Sequence, residues 1–124
     1  MKKVINGVII RGLGEGTYFM SIQHYRKEIK KELGFNAYPG TLNIKVGKNQ
    51  RDLLKDFCRI AIKGFKQNKK EFGGVDCYRA KIKNMNGAII VPRLTKHKKD
   101  IIEFIAPVHI KAELRLKDGD KLRV

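Results

Sequence analysis

The sequence predicts a mainly β fold: a small, mostly antiparallel β-barrel with short helical insertions. Three observations carry this. Apolar residues alternate with polar ones in many short runs. Turn signals built on Gly, Pro, Asn or Asp separate those runs at short intervals. No regular strand–helix–strand alternation is present, which argues against a parallel doubly wound sheet. At 124 residues the chain is expected to form one domain over 1–124, large enough for a single core without staples. It carries no internal repeat, low-complexity segment or linker.

The first strand is expected over residues 3–11, with Val4, Val8 and Ile10 on one face and Gly7 as a possible bulge. The two opening lysines and the apolar run lack a small-residue cleavage site, so this segment reads as a strand and not a signal peptide. The glycine-rich stretch Gly12-Leu13-Gly14-Glu15-Gly16-Thr17 follows. Glycines this closely spaced let a backbone approach a ligand and turn N–H groups toward it, as loops that cradle phosphate do. The lysine-serine/threonine tail of the common P-loop is missing, and a glycine-rich barrel corner would look the same.

His24–Leu33 reads as a helix, because Ile22, Tyr25, Ile29 and Leu33 recur at helical spacing and Gly34 can cap the end. Then Pro39-Gly40 makes a turn, and Thr41–Val46 alternates strictly. Leu42, Ile44 and Val46 form the apolar face, leaving Thr41, Asn43 and Lys45 toward a cavity or solvent. Residues 51–57 can form one helical turn. Residues 58–65 and 71–82 are expected to pair as a hairpin around a longer polar loop at 66–70. Residues 84–87 read as a tight turn and 88–91 as a short buried strand ended by Pro92. A basic loop at 93–99 leads to a strand over 100–105, a break at Ala106-Pro107, a short helix over 109–114, a turn at 117–120 and a last strand over 121–124.

Charge and cysteine content narrow the function. The net charge of +16 favours polyanions and steers anionic ligands. The cations are mostly lysine, are spread along the chain and are not interleaved with an aromatic-rich strand, so they read as a solvated surface and nucleic acid is not expected as a partner. No apolar run approaches a membrane span. Cys58 and Cys77 lie in apolar, strand-like surroundings without the close-pair spacing of a zinc site, which implies reduced thiols in a cytoplasmic protein.

Two places carry candidate chemistry. Thr41 and Asn43 are two apart on one strand face beside a tight turn, and so offer two neutral oxygen ligands side by side. Mg²⁺ needs few protein ligands where phosphate and water complete its shell. Thr and Asn are also common on exposed strand faces. Glu103 stands among Ile101, Ile102, Phe104 and Ile105, where a carboxylate is costly unless it meets water, a partner or a ligand. That placement suits a general base for a hydroxyl substrate, and equally an outward-facing residue. Thr95, just before this strand, could hydrogen-bond a polar ligand.

Together, Gly12–Phe19 (GLGEGTYF), Leu33-Gly34-Phe35 and Tyr38-Pro39-Gly40-Thr41-Leu42-Asn43 resemble the archaeal CTP-dependent riboflavin kinases. Gly87–Pro92, Thr95, Glu103–Pro107 and Leu116–Asp120 match the same family in the same order, so the likeness spans nearly the whole chain. Some members are similar but carry an N-terminal winged-helix domain, for which this chain leaves no room; it would be the kinase domain alone. The resemblance implies a six-stranded cradle-loop barrel, related to swapped-hairpin barrels. It implies transfer of the γ-phosphate of CTP to the 5′-hydroxyl of riboflavin, giving FMN and CDP. On that likeness Gly12, Leu13, Gly14, Glu15, Gly16 and Thr17 would wrap the nucleotide phosphates. Thr41 and Asn43 would ligate one Mg²⁺, and Thr95 and Glu103 would contact the flavin or its ribityl chain. Val108, His109, Ile110 and Lys111 would line the cytosine, and Glu103 is the expected base. A cytoplasmic monomer is expected. The competing reading is a basic barrel that binds nucleic acid or regulates transcription without catalysis, since LKDGDKLRV resembles the glycine-aspartate turn of swapped-hairpin transcription factors.

Overall fold

The computed structural model describes residues 4–12, 21–47, 52–92 and 100–124. In chain order the elements are β1 (Asn6–Ile10), α1 (Gln23–Leu33), β2 (Leu42–Val46), a 3₁₀ turn (Leu53–Asp56), β3 (Arg59–Ile62), β4 (Phe65–Gln67), β5 (Lys70–Phe72), β6 (Val75–Ile82), β7 (Met85–Pro92), β8 (Ile101–Ile105), α2 (Ile110–Glu113) and β9 (Lys121–Arg123). The fold is mainly β with short helices, as the alternation and turn spacing predict. The main sheet has seven strands in the order β3-β6-β7-β8-β2-β1-β9, every pair antiparallel, and β4-β5 form a separate two-stranded ribbon. That is one strand more than the resemblance implies, because both short end strands find a partner: β3 pairs with β6, and β9 with β1.

Strand pairing sorts the side chains into two apolar clusters. On one face Ile9, Ile44, Ile102, Phe104, Ile89 and Leu122 belong to a core that reaches from β9 to β6. On the other face, α1 covers β3, β6, β7 and the end of β8. Its Tyr25, Ile29 and Leu33 pack with Ile62, Val75, Cys77, Ala88, Ile90 and Ile105. Each Ile, Leu or Val among them contributes about 1.5–3 kcal/mol on burial. The helix ends as its sequence predicts: the Gly34 N–H donates to the Lys30 carbonyl at 2.9 Å from a left-handed φ of 84°. Lys30 and Lys31 in the last turn complement the helix dipole. The Tyr25 hydroxyl donates to the Gly73 carbonyl at 2.7 Å and ties the helix to the loop before β6.

Five expectations are corrected. Ile5, just ahead of β1, and Ile9 within it are both fully buried, while Val4 is exposed; the pairing of Ile9 with Ile44 decides which alternate set turns inward. Gly7 is no bulge, since the β1–β9 register runs from Asn6 through Gly7 to Val8 without a break. The tip of the 58–82 hairpin is tight, with Asn68 and Lys69 at φ 50° and 66° joining β4 to β5, not a longer loop. The next turn lies at Lys83-Asn84, two residues earlier than expected, so Met85, Asn86 and Gly87 belong to β7. Gly87 serves a close approach: a side chain there would overlap the Ile105 carbonyl and the Phe104 ring. Cys58 is exposed, and only Cys77 lies in the core.

Candidate active site

Cross-strand pairing sets one row of residues across the face that α1 partly covers. It runs Ile60, Cys77, Ile90, Glu103, Asn43, Ile10 through β3, β6, β7, β8, β2 and β1. Its fourth and fifth members are a carboxylate and a carboxamide, directly opposite each other on β8 and β2. Directly paired residues hold their side chains about 5 Å apart at Cβ. Both are buried: Glu103 is 4% and Asn43 8% exposed. Strand alternation had left open whether these groups face solvent, and they do not.

Thr41, one residue ahead of β2, completes the group. Its hydroxyl donates to Glu103 Oε1 at 3.2 Å. The Asn43 carbonyl oxygen Oδ1 is fully buried and has no hydrogen-bond partner. A buried acceptor left unmade costs about 1–3 kcal/mol, so such an atom calls for a ligand. Gly12 closes the cluster from the end of β1, where a Cβ would overlap the Asn43 carboxamide. Only a residue without a side chain lets the start of the glycine stretch lie directly on Asn43.

A cavity of about 280 Å³ opens beside this cluster. One wall is the Tyr38–Leu42 segment and the other is Ala106 with Val108–Lys111. The Tyr38 N–H donates to the Ala106 carbonyl at 2.7 Å and joins the two walls. Lys111 Nζ is an ion-pair partner of Asp118, which anchors α2 to the turn before β9. Thr41 therefore belongs both to the cavity wall and to the carboxylate cluster. Of the four cluster residues Thr41 lines the cavity, so a ligand seated there meets the cluster through the Thr41 hydroxyl.

The structure thus brings Gly12, Thr41, Asn43 and Glu103 to one spot, with Val108, His109, Ile110 and Lys111 lining the adjacent cavity. Leu13, Gly14, Glu15, Gly16, Thr17 and Thr95 lie outside the described residues. The sequence reading missed Tyr38 as a cavity residue. Its signal was an aromatic directly ahead of the Pro39-Gly40 turn. Among the described residues no three His, Cys, Asp or Glu side chains converge. A hard cation here would draw on the hydroxyl of Thr41 and the free carboxamide oxygen of Asn43, a donor set that fits Mg²⁺ when phosphate and water supply the rest.

Comparison with known proteins gives the family. The family model CTP-dep_RFKase, described as a domain of unknown function, DUF120, matches residues 9–124. A riboflavin kinase of Pyrobaculum calidifontis is 43% identical over 121 residues, covering 95% of this chain and 57% of that protein. Riboflavin kinases of Methanosarcina acetivorans and Archaeoglobus fulgidus are 38% and 39% identical, over 51% and 53% of their own lengths. The chain spans about half the length of these curated relatives. The chain belongs to the CTP-dependent riboflavin kinase domain family.

Proposed function

We propose that this chain phosphorylates riboflavin with CTP. The γ-phosphorus forms a bond to the riboflavin 5′-oxygen as its bond to the β-phosphate oxygen breaks. CDP leaves, FMN forms, and the 5′-hydroxyl proton passes to Glu103. The observation that carries this reading is the meeting of Gly12, Thr41, Asn43 and Glu103 beside the cavity, with the Asn43 Oδ1 atom buried and unpartnered.

Each residue has a defined task. The backbone of residues 12–17 holds the phosphates. Thr41 donates to Glu103 and orients the carboxylate toward the acceptor hydroxyl. Thr41 and Asn43 would hold one Mg²⁺, which would supply charge neutralisation to the phosphates. Val108–Lys111 hold the cytosine, and Thr95 with Glu103 contacts the flavin chain. Most of the rate gain in such a site comes from in-line positioning and charge stabilisation, which a buried, water-poor cluster supplies. The chain acts as a cytoplasmic monomer, with CTP/CDP and riboflavin/FMN as partners and neither membrane nor nucleic acid among them. No helix among the described residues is long and apolar enough to cross a membrane.

The test is incubation with Mg²⁺, riboflavin and each of the four nucleoside triphosphates in turn, followed by chromatography. FMN is expected with CTP. No FMN with any of the four overturns the reading, and FMN with ATP at equal efficiency overturns the assignment of the base pocket.

A further inference from the structure

Tyr38 has no task in the scheme above, yet it is one of two large hydrophobic residues exposed among those described, at 38%. It stands at the cavity wall, and its ring stacks on His109 with centroids 4.9 Å apart and planes 20° apart. The two rings come from opposite walls. The backbone under Tyr38 is held on both sides: its N–H donates to Ala106, and its carbonyl accepts from the Gly40 N–H at 2.7 Å. An exposed aromatic on a pinned backbone is pre-organised for a flat ligand, because little freedom remains to be lost on binding.

From this geometry we infer that Tyr38, backed by His109, is the stacking platform for the nucleobase of the phosphate donor. The inference rests on the kinase reading and adds a residue to it. Tyr38 lies three residues before Thr41, a span of at most about 11 Å of chain. That reach is comparable with the distance from base to phosphates in a nucleoside triphosphate. A base seated on Tyr38 therefore sets where the phosphates meet Thr41. Every base has a π face, so stacking fixes position without choosing between bases. Discrimination of cytosine is left to the polar groups of Val108–Lys111.

Isothermal titration calorimetry reads affinity without depending on the tyrosine that the variants remove. CTP and inorganic tripolyphosphate are titrated into the wild type, Tyr38→Ala, Tyr38→Phe and His109→Ala, and KM and kcat are measured alongside. Tyr38→Ala is expected to weaken CTP roughly 5- to 100-fold, to leave tripolyphosphate affinity within about twofold of the wild type, and to raise KM for CTP far more than it lowers kcat. The ratio of CTP to UTP use stays constant. Tyr38→Phe restores CTP affinity, and His109→Ala shows a smaller loss in the same direction. CTP affinity unchanged in Tyr38→Ala, with turnover intact, overturns the platform alone. Tripolyphosphate weakened as much as CTP also overturns it, as does Tyr38→Phe failing to rescue. A wild type that binds no CTP overturns both the platform and the kinase reading.

Discussion

One sheet face carries two regions that meet between β7 and β8. Over β3, β6 and β7 it is closed by the apolar side of α1, with Ile29, Val75 and Cys77 fully buried. One strand further along, the same row of paired positions turns from Ile90 to Glu103 and Asn43. Burial is similar on both sides of that line, but the chemistry is opposite. The apolar half lowers the free energy of the fold. The polar half raises it, since Asn43 keeps a buried acceptor unpaired. A fold retains such a cluster when a ligand supplies the missing partner, so the difference between the halves marks the site more sharply than any single motif.

The comparison breaks most readily at Glu103. Glu103→Gln keeps the shape and the contact to Thr41 but removes the base, so kcat should fall about 10²- to 10⁴-fold while CTP affinity changes little. Asn43→Ala, the companion variant, should lose metal-dependent turnover while the chain still folds, because the unpaired buried acceptor it removes costs about 1–3 kcal/mol. Equal losses of CTP affinity and turnover in Glu103→Gln would make that residue structural and erase the distinction. The reverse holds across the line. Ile29→Ala should cost about 2–5 kcal/mol of stability in urea unfolding while leaving KM for both substrates in the folded enzyme near wild type. A changed KM would mean that the two halves are coupled.

The smallest effect tests how dry the apolar half is. Burial, with the Asp76 charge adding to it, pushes the Cys77 thiol from 9.0 up to about 12. The folded state therefore keeps a proton that the unfolded chain releases. The stability this contributes is fully present below about pH 9 and declines as pH rises toward 12, by about 1.4 kcal/mol per pH unit. Cys77→Ala should flatten that slope in urea unfolding measured from pH 8 to 11. An unchanged slope would mean that water reaches the region beneath α1. In the native state iodoacetamide should label Cys58, which is exposed, and spare Cys77.

Much of the fold was legible because local chemistry and tertiary context agree. The helical spacing of Tyr25, Ile29 and Leu33 with Gly34 behind it could form little else, and 42–46 alternates without exception. Local signals failed where they were ambiguous. In 4–10 both alternate sets are largely apolar, so the sequence could not say that Ile5 and Ile9 turn inward. Asn86-Gly87 has turn composition but lies in β7, because the glycine answers a close approach from β8 and not a bend. Of the site, the glycine stretch, Thr41, Asn43 and Glu103 stood out by residue type. Tyr38 did not, since a tyrosine before a turn has no chemistry until a second wall faces it.

The sequence by itself determined the fold class, the helix, the strand of Thr41 and Asn43 and the oddity of a carboxylate in an apolar run, because these follow from periodicity and turn chemistry within a few residues. Only the tertiary structure decided that Glu103 and Asn43 stand opposite each other, that Gly12 lies on Asn43, and that Tyr38 meets His109. Those pairings join residues 31 to 71 positions apart. They depend on strand order and register, which the whole sheet sets and no local pattern encodes.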